Sequence, residues 1–147
     1  MRIMRAGKDD IEAWSRLRAQ LWPDATAQEH GRELDRLLDA GEDFCGFLAV
    51  SPSGDVAGFA EAALRRDYVN GCETSPVAFL EGIFVLPGYR RRGLARRLVA
   101  AVAAWGKEAG CTEFASDALL DNDASHRMHA ALGFTETERV VYFRKFL

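Results

Sequence analysis

Cysteine is scarce in this chain: Cys45, Cys72 and Cys111 are the only three among 147 residues, odd in number and widely spaced. That pattern offers neither a disulfide framework nor a zinc-ligand cluster, so no metal is expected, and reduced thiols in a cytoplasm are the plain reading. Long apolar runs are missing too. The longest, Leu98–Trp105, falls far short of the roughly 20 residues a membrane helix requires, and Met1–Asp10 lacks the apolar stretch of a secretory leader. Excess positive charge is absent as well: 19 Lys and Arg against 22 Asp and Glu leave a net charge of -3, which excludes a protein that coats nucleic acid through bulk charge. What is present, 48% hydrophobic and 28% charged residues, describes a folded globular chain and excludes disorder, collagen and coiled coil. A chain of this length buries about 68–70% of its unfolded surface, so one domain over residues 1–147 is expected to hold without a staple.

Periodicity sets out the elements. Met1–Ala6 reads as a short strand, and Asp9 with Glu12 as a capping box for a helix whose apolar face is Ile11, Trp14, Leu17 and Leu21. Pro23 stops that helix. Thr26 and Glu29 repeat the cap ahead of a second helix bearing Leu34, Leu37 and Leu38, which Gly41 ends. Phe44–Val50 and Val56–Leu64 flank the turn sequence Ser51–Asp55 and form a β-hairpin, after which Arg65–Pro76 is a polar loop long enough to suggest function. Val77–Leu86 reads as an apolar strand interrupted by Glu81. Gly93–Ala109 forms the longest helix, with Leu94, Leu98, Val102 and Trp105 buried and Gly110 as its stop. Cys111–Ala118 is a strand, Asn122 or Asp123 caps a helix ending at Gly133, and Phe134–Phe146 supplies one or two last strands. The expectation from this pass is one α/β domain with a mixed sheet flanked by helices.

Three arginines, Arg90, Arg91 and Arg92, stand in the turn that opens the longest helix, followed by Gly93, Leu94 and Ala95. Cations disfavour a helix N-terminus, whose free N–H groups already carry partial positive charge, so the placement calls for an anion. Phosphate fits: amides, dipole and guanidinium groups would all address it, and glycine admits close approach. Gly88 and Gly93 have the spacing of a P-loop, but Leu94-Ala95 stands where that motif needs Lys-Ser/Thr, and no G-x-G-x-x-G occurs. A nucleotide triphosphatase and a dinucleotide dehydrogenase are both disfavoured.

Arg90-Arg91-Arg92-Gly93-Leu94-Ala95, following a strand that ends Ile83-Phe84-Val85, resembles the Q/R-x-x-G-x-G/A motif of the GCN5-related N-acetyltransferases. A second element, Asn122, Ser125, His129 and Leu132-Gly133-Phe134, resembles that family's N-x-x-A-x-x-x-Y-x-x-x-G-F pattern, with His129 in place of the tyrosine. The resemblance implies that family's α/β (α+β) fold, a mixed, mostly antiparallel sheet flanked by about four helices, with acetyl-CoA as co-substrate, its pyrophosphate on the loop from Arg90 to Ala95, and contacts from Ile83, Phe84, Val85 and Asn122. It places His129 where the acid that protonates the leaving thiolate would stand, a role a histidine can fill near neutral pH.

Acyl transfer to nitrogen needs a neutral amine, so carboxylates beside the thioester would take its proton and attract a cationic substrate. Glu81 breaks an apolar strand and Asp117 ends another. Leu21-Trp22-Pro23, Asp67–Cys72, Phe79–Val85, Ala115-Ser116-Asp117 and Thr137–Val140 together resemble the bacterial aminoglycoside 6′-N-acetyltransferases over nearly the whole chain. That resemblance implies a homodimer, antibiotic resistance, and an aminoglycoside site lined by Trp22, Tyr68, Glu81, Asp117 and Glu138. The implied chemistry is direct attack in a ternary complex, with the amine deprotonated through Glu81 or Asp117 and the oxyanion met by backbone N–H groups of Ile83–Val85. A covalent route through Cys72 or Cys111 has no flanking base to activate the thiol. Three alternatives remain at this level: the same fold acting on another small amine, polyamine or protein N-terminus; a coenzyme A sensor without turnover; and, weakest, an RNA-binding module using the arginine cluster, for which Tyr89 is the one aromatic side chain near the loop.

Overall fold

The computed structural model describes residues 1–147. In chain order the elements are β1 (Arg2–Arg5), α1 (Ile11–Leu21), α2 (Ala27–Asp39), β2 (Phe44–Val50), β3 (Val56–Arg65), β4 (Val77–Val85), α3 (Leu94–Glu108), β5 (Phe114–Ser116) and α4 (Asp123–Ala131), with 3-10 turns at Lys8–Asp10 and Pro87–Tyr89. The strands lie in the order of the chain, β1-β2-β3-β4-β5, antiparallel throughout except for the parallel pair β4–β5. This is the mixed, mostly antiparallel sheet with four helices that the family resemblance implied.

Both faces of the sheet are covered, so β2 is apolar or glycine at every position. Cys45 and Ala49 pack on the α3 face with Leu94, Leu98, Val102 and Trp105, whereas Phe44, Leu48 and Val50 pack on the opposite face with Trp14, Leu17 and Leu34 from α1 and α2. Trp14 is fully buried and stacks on Phe44 with centroids 5.9 Å apart. Its ring occupies the place of a side chain at Gly46, where a Cβ would meet ring carbons at 2.2 Å; only glycine fits there.

A β-bulge in β4 shapes the functional region. Glu61 pairs with Gly82 and Ala62 with Leu80, so Glu81 is an extra residue without an opposite partner. An inserted residue exchanges the two faces of a strand. Leu80 and Ile83 therefore both pack against the α3 side, while Gly82 and Phe84 face α1. Pairing of β4 with β5 spans only Ala78–Leu80 against Phe114–Ser116, so beyond Leu80 the far edge of β4 has no neighbouring strand.

Several local expectations are corrected. The first helix does not open on an Asp9–Glu12 box: the Asp10 carboxylate accepts from Gly7 N at 2.8 Å across a 3-10 turn, and α1 begins at Ile11. The Thr26–Glu29 cap does form, with Thr26 Oγ1 accepting from Glu29 N at 3.1 Å. The strand expected over Cys111–Ala118 shrinks to Phe114–Ser116. Phe134–Phe146 forms no strand, and residues 135–147 make no backbone–backbone hydrogen bond. Strand propensity measures fitness for a half-buried pleated surface, and no segment of this chain offers the tail one. Tyr142, Phe143, Phe146 and Leu147 are consequently exposed. No helix is long and apolar enough to cross a membrane.

Candidate functional site

The start of α3 is built to receive an anion. Gly93 precedes the helix with φ 75°, in the left-handed region, and the space where its Cβ would stand is open. Unlike α2 and α4, α3 begins with no side-chain cap and no acidic residue in its first turn, so the leading amides have no anion or acceptor of their own. Arg91 also holds a positive φ, 63°, unusual for a side chain of this kind. One part of the expectation is corrected: the three guanidinium groups do not converge. Arg90 turns back, its Nε donating to Val85 O at 2.7 Å and its guanidinium lying 5.5 Å from the Phe84 ring, while Arg92 leans on Tyr89 at 5.6 Å. Arg90 thus braces the β4–α3 turn. The amides of Leu94 and Ala95 and the outward Arg91 and Arg92 remain for the ligand. This donor set, with the open cradle at Gly93, fits a pyrophosphate.

Where β4 and β5 part, the last ladder pair is Leu80 with Ser116. Glu81 and Asp117, the next residue on each strand, therefore flank one opening. Glu81 is half-buried and held bidentately by Arg65, with Nε and Nη2 donating at 3.1 and 2.9 Å, and the Arg65 guanidinium lies 3.5 Å from the Phe79 ring centroid. Asp117 is exposed. Beyond them, the backbone groups of Ile83, Phe84 and Val85 that face away from β3 have no strand partner; Val85 O is taken by Arg90.

His129, on α4, reaches the same opening. Its Nδ1 lies 2.7 Å from the Ser125 carbonyl, which can only accept, so Nδ1 carries a proton; Nε2 and Ser116 Oγ lie 2.7 Å apart, and either can donate to the other. The ring packs edge-on against Phe134 with centroids 5.3 Å apart. Asn122 caps α4, its Oδ1 accepting from Ser125 N at 3.2 Å, and stays exposed.

The aromatic and remaining acidic candidates lie on the α1 side and on the loops. The far edge of the Trp22 ring lies over Gly82, where a Cβ would come within 2.4 Å of it, beside Glu81 on β4. Tyr68 is 76% exposed in the loop from Arg66 to Pro76. That loop is anchored: Glu113 Oε1 accepts from the Thr74 hydroxyl and from Glu73 N and Thr74 N at 2.8 and 2.7 Å, and these bonds, the Thr74 hydroxyl's foremost, hold its carboxyl below the usual carboxylate range. Thr137 packs onto Gly71 of the same loop, which leads Glu138 past it, exposed. All three thiols are unsuited to nucleophilic work: burial pushes Cys45 up to about 12 and also raises Cys72 and Cys111.

A buried polar cluster escaped the sequence reading. Glu61 Oε2 accepts from Trp14 Nε1 at 2.9 Å and Oε1 from Arg18 Nη2 at 3.0 Å; burial pushes its carboxyl up to about 7, against the opposing pull of Arg18 and Trp14. Its sequence signal equals that of Glu81, one carboxylate inside an apolar strand.

The chain belongs to the acetyltransferase (GNAT) family, whose model matches residues 11–134. Within the family it is 53% identical over 145 residues to an aminoglycoside N(6′)-acetyltransferase type 1 of Acinetobacter genomosp. 13, covering 99% of this chain and 98% of that one. A relative of the same description from Salmonella enteritidis is 48% identical, with 99% of both chains covered. Among solved structures, AAC(6′)-Iy in complex with a bisubstrate analogue, CoA-S-monomethyl-acetylneamine, superposes with a TM-score of 0.93 at 46% identity over 99% of this chain and 98% of that one. AAC(6′)-Ih from Acinetobacter baumannii gives 0.93 at 50% identity over the same shares.

Proposed function

We propose that this chain is an acetyl-CoA-dependent N-acetyltransferase that modifies the 6′-amino group of aminoglycosides and thereby gives resistance to a bacterium carrying it. The observation that carries the reading is the opening at Leu80–Ser116 with Glu81 and Asp117 on its two rims, in a chain about half identical to aminoglycoside N(6′)-acetyltransferases along nearly its full length. An aminoglycoside is a polycation, and paired carboxylates with Trp22 beside Glu81, together with the exposed Tyr68 of the Arg66–Pro76 loop, give such a ligand both charge and an aromatic surface.

The residues divide the work. The loop from Arg90 to Ala95 holds the pyrophosphate of acetyl-CoA. Glu81 or Asp117 takes the proton from the substrate ammonium, directly or through a water, and frees the nitrogen lone pair. The N–C bond forms as the C–S bond breaks, unpaired N–H groups among Ile83–Val85 meet the negative charge on the acetyl oxygen, and the thiolate departs with a proton supplied through His129. In sum, ammonium and thioester become amide, thiol and one proton released. Purified protein should release free thiol from acetyl-CoA with kanamycin-type compounds bearing a 6′-amine and not with analogues carrying a 6′-hydroxyl. Equal rates on both overturn the regiochemistry, and no turnover on either overturns the substrate class.

The working form is a homodimer joined through the tail. Residues 140–147 carry Val140, Val141, Tyr142, Phe143, Phe146 and Leu147, six large apolar side chains, all exposed. The outer edge of β5 is unpaired in this chain. A second copy supplies the partner that the tail lacks. In sedimentation the 16.3 kDa chain should run at twice its mass, and truncation after Glu138, or Val141→Asp with Phe143→Asp in the full chain, should return it to monomer. A monomeric full-length chain at micromolar concentration overturns the dimer.

A further inference from the structure

We propose that Glu61, acting through Arg18 and His30, is a positioning residue that fixes the Trp22 ring over Gly82 as a rigid wall of the amine-substrate side of the site; this rests on Trp22 having that role.

Trp22 lies just past the end of α1, with φ -124° and ψ 78°, and Pro23 follows it. Its N–H closes the last turn of α1, donating to Arg18 O at 2.7 Å, but nothing in the helix backbone beyond that bond fixes the ring. The side chains of Arg18 and His30 do. The Arg18 guanidinium lies 5.0 Å from the Trp22 ring centroid. His30 Nε2 donates to the Trp22 carbonyl at 2.9 Å, and its ring sits 6.2 Å from the indole. Arg18 in turn is aimed by Glu61, which is itself locked by Trp14 Nε1, and by weaker contacts to His30 O at 3.4 Å and Glu33 Oε2 at 3.3 Å.

Two observations separate positioning from mere stability. Buried ion pairs rarely stabilise a fold better than apolar side chains of the same volume, because desolvation offsets the attraction. This one also leaves Arg18 Nε and His30 Nδ1 buried without partners, an arrangement poor in stability terms but well directed at Trp22. Register supplies the second. Glu61 pairs across β3–β4 with Gly82, the residue that makes room for the Trp22 ring, at the bulge that sets Glu81 at the rim. Anchor, clearance and rim carboxylate share one level of the sheet. A wall held from behind by charge and below by backbone keeps its orientation without a substrate present, so less conformational freedom is lost on binding.

The test compares wild type with Glu61→Gln, Arg18→Met, Trp22→Ala and the pair Glu61→Gln with Trp22→Ala, each verified as folded by circular dichroism. Glu61→Gln and Arg18→Met should each raise KM for a 6′-amino aminoglycoside about 10-fold while kcat and KM for acetyl-CoA stay within about twofold. In the Trp22→Ala background Glu61→Gln should add nothing, a coupling that independent structural damage does not produce. Effects that multiply in the pair, or folded single variants with unchanged KM, overturn the proposal. An unchanged KM in Trp22→Ala overturns Trp22 as a wall. A second readout needs no turnover: with 5-fluorotryptophan incorporated, the Trp22 resonance, assigned through Trp22→Phe, should be one sharp line in wild type and broaden or split in Arg18→Met. An unaltered line overturns the positioning role even for a protein that acetylates some other amine.

Discussion

Replacing Gly93 with valine should raise the Kd for coenzyme A at least about 100-fold by calorimetry, with the chain still folded. Gly93 holds φ 75°, a conformation that costs an L-residue about 1–2 kcal/mol and a β-branched one more. Nothing lies within 4 Å of the position its Cβ would take, so the protein itself has no clash to relieve. The strain has two outlets. Either the turn relaxes and carries the leading amides of α3 out of line, or it holds and the side chain fills the space the pyrophosphate needs. Both remove the anion site, because α3 has no side-chain cap or first-turn acid to substitute for it. Gly88→Ala is the control: it too has open space around the added Cβ but no positive φ, so affinity should stay near wild type. Retained affinity in a folded Gly93→Val variant would mean that the pyrophosphate lies elsewhere.

Glu81→Gln should lower kcat/KM for the amine substrate by about 10²–10³, the range of a lost general base, with coenzyme A affinity unchanged. The expectation has to be separated from simple damage to the Arg65 ion pair. Arg65 binds both Glu81 oxygens and sits over Phe79, so an amide at position 81 leaves a guanidinium without its anion where a cationic substrate must approach. Were pairing the only role of the carboxylate, Arg65→Gln combined with Glu81→Gln would restore turnover. A carboxylate acting on the amine predicts that the pair remains as slow as Glu81→Gln alone. Raising ionic strength should weaken amine binding in wild type more than in Glu81→Gln, because part of the attraction is screened and the variant has already lost it. Parent rates in both Glu81→Gln and Asp117→Asn would assign the proton to water or another group.

Glu61 and Glu81 show where reading a sequence stops. Each is one acid inside an apolar strand, and the linear pattern does not tell them apart. Register does. Glu61 points into the face that α1 and α2 close over, where Trp14 and Arg18 must satisfy it, whereas Glu81 is the unpaired residue of a bulge at the end of the β4–β5 ladder. The same distinction applies to the arginines. Three side chains beside one helix start suggest three phosphate contacts, yet Arg90 is committed to Val85 O, because a turn this tight brings that carbonyl within reach of its own side chain.

The sequence by itself determined what depends on neighbours a few residues apart: the Thr26 cap, the turn between β2 and β3, the buried stripe of α3 and its glycine-led start, and a cap at Asn122 or Asp123, of which Asn122 forms. Such features rest on backbone dihedrals and helical periodicity, which local residues control. Only the tertiary structure decided what depends on contacts between distant segments. Those are the shortness of β5, the unpaired tail, the bulge that brings Glu81 to the rim beside Trp22, and the link from Glu61 through Arg18 and His30 to that tryptophan. A strand exists only where another backbone offers its hydrogen bonds, and a buried charge persists only where a partner from elsewhere in the chain meets it.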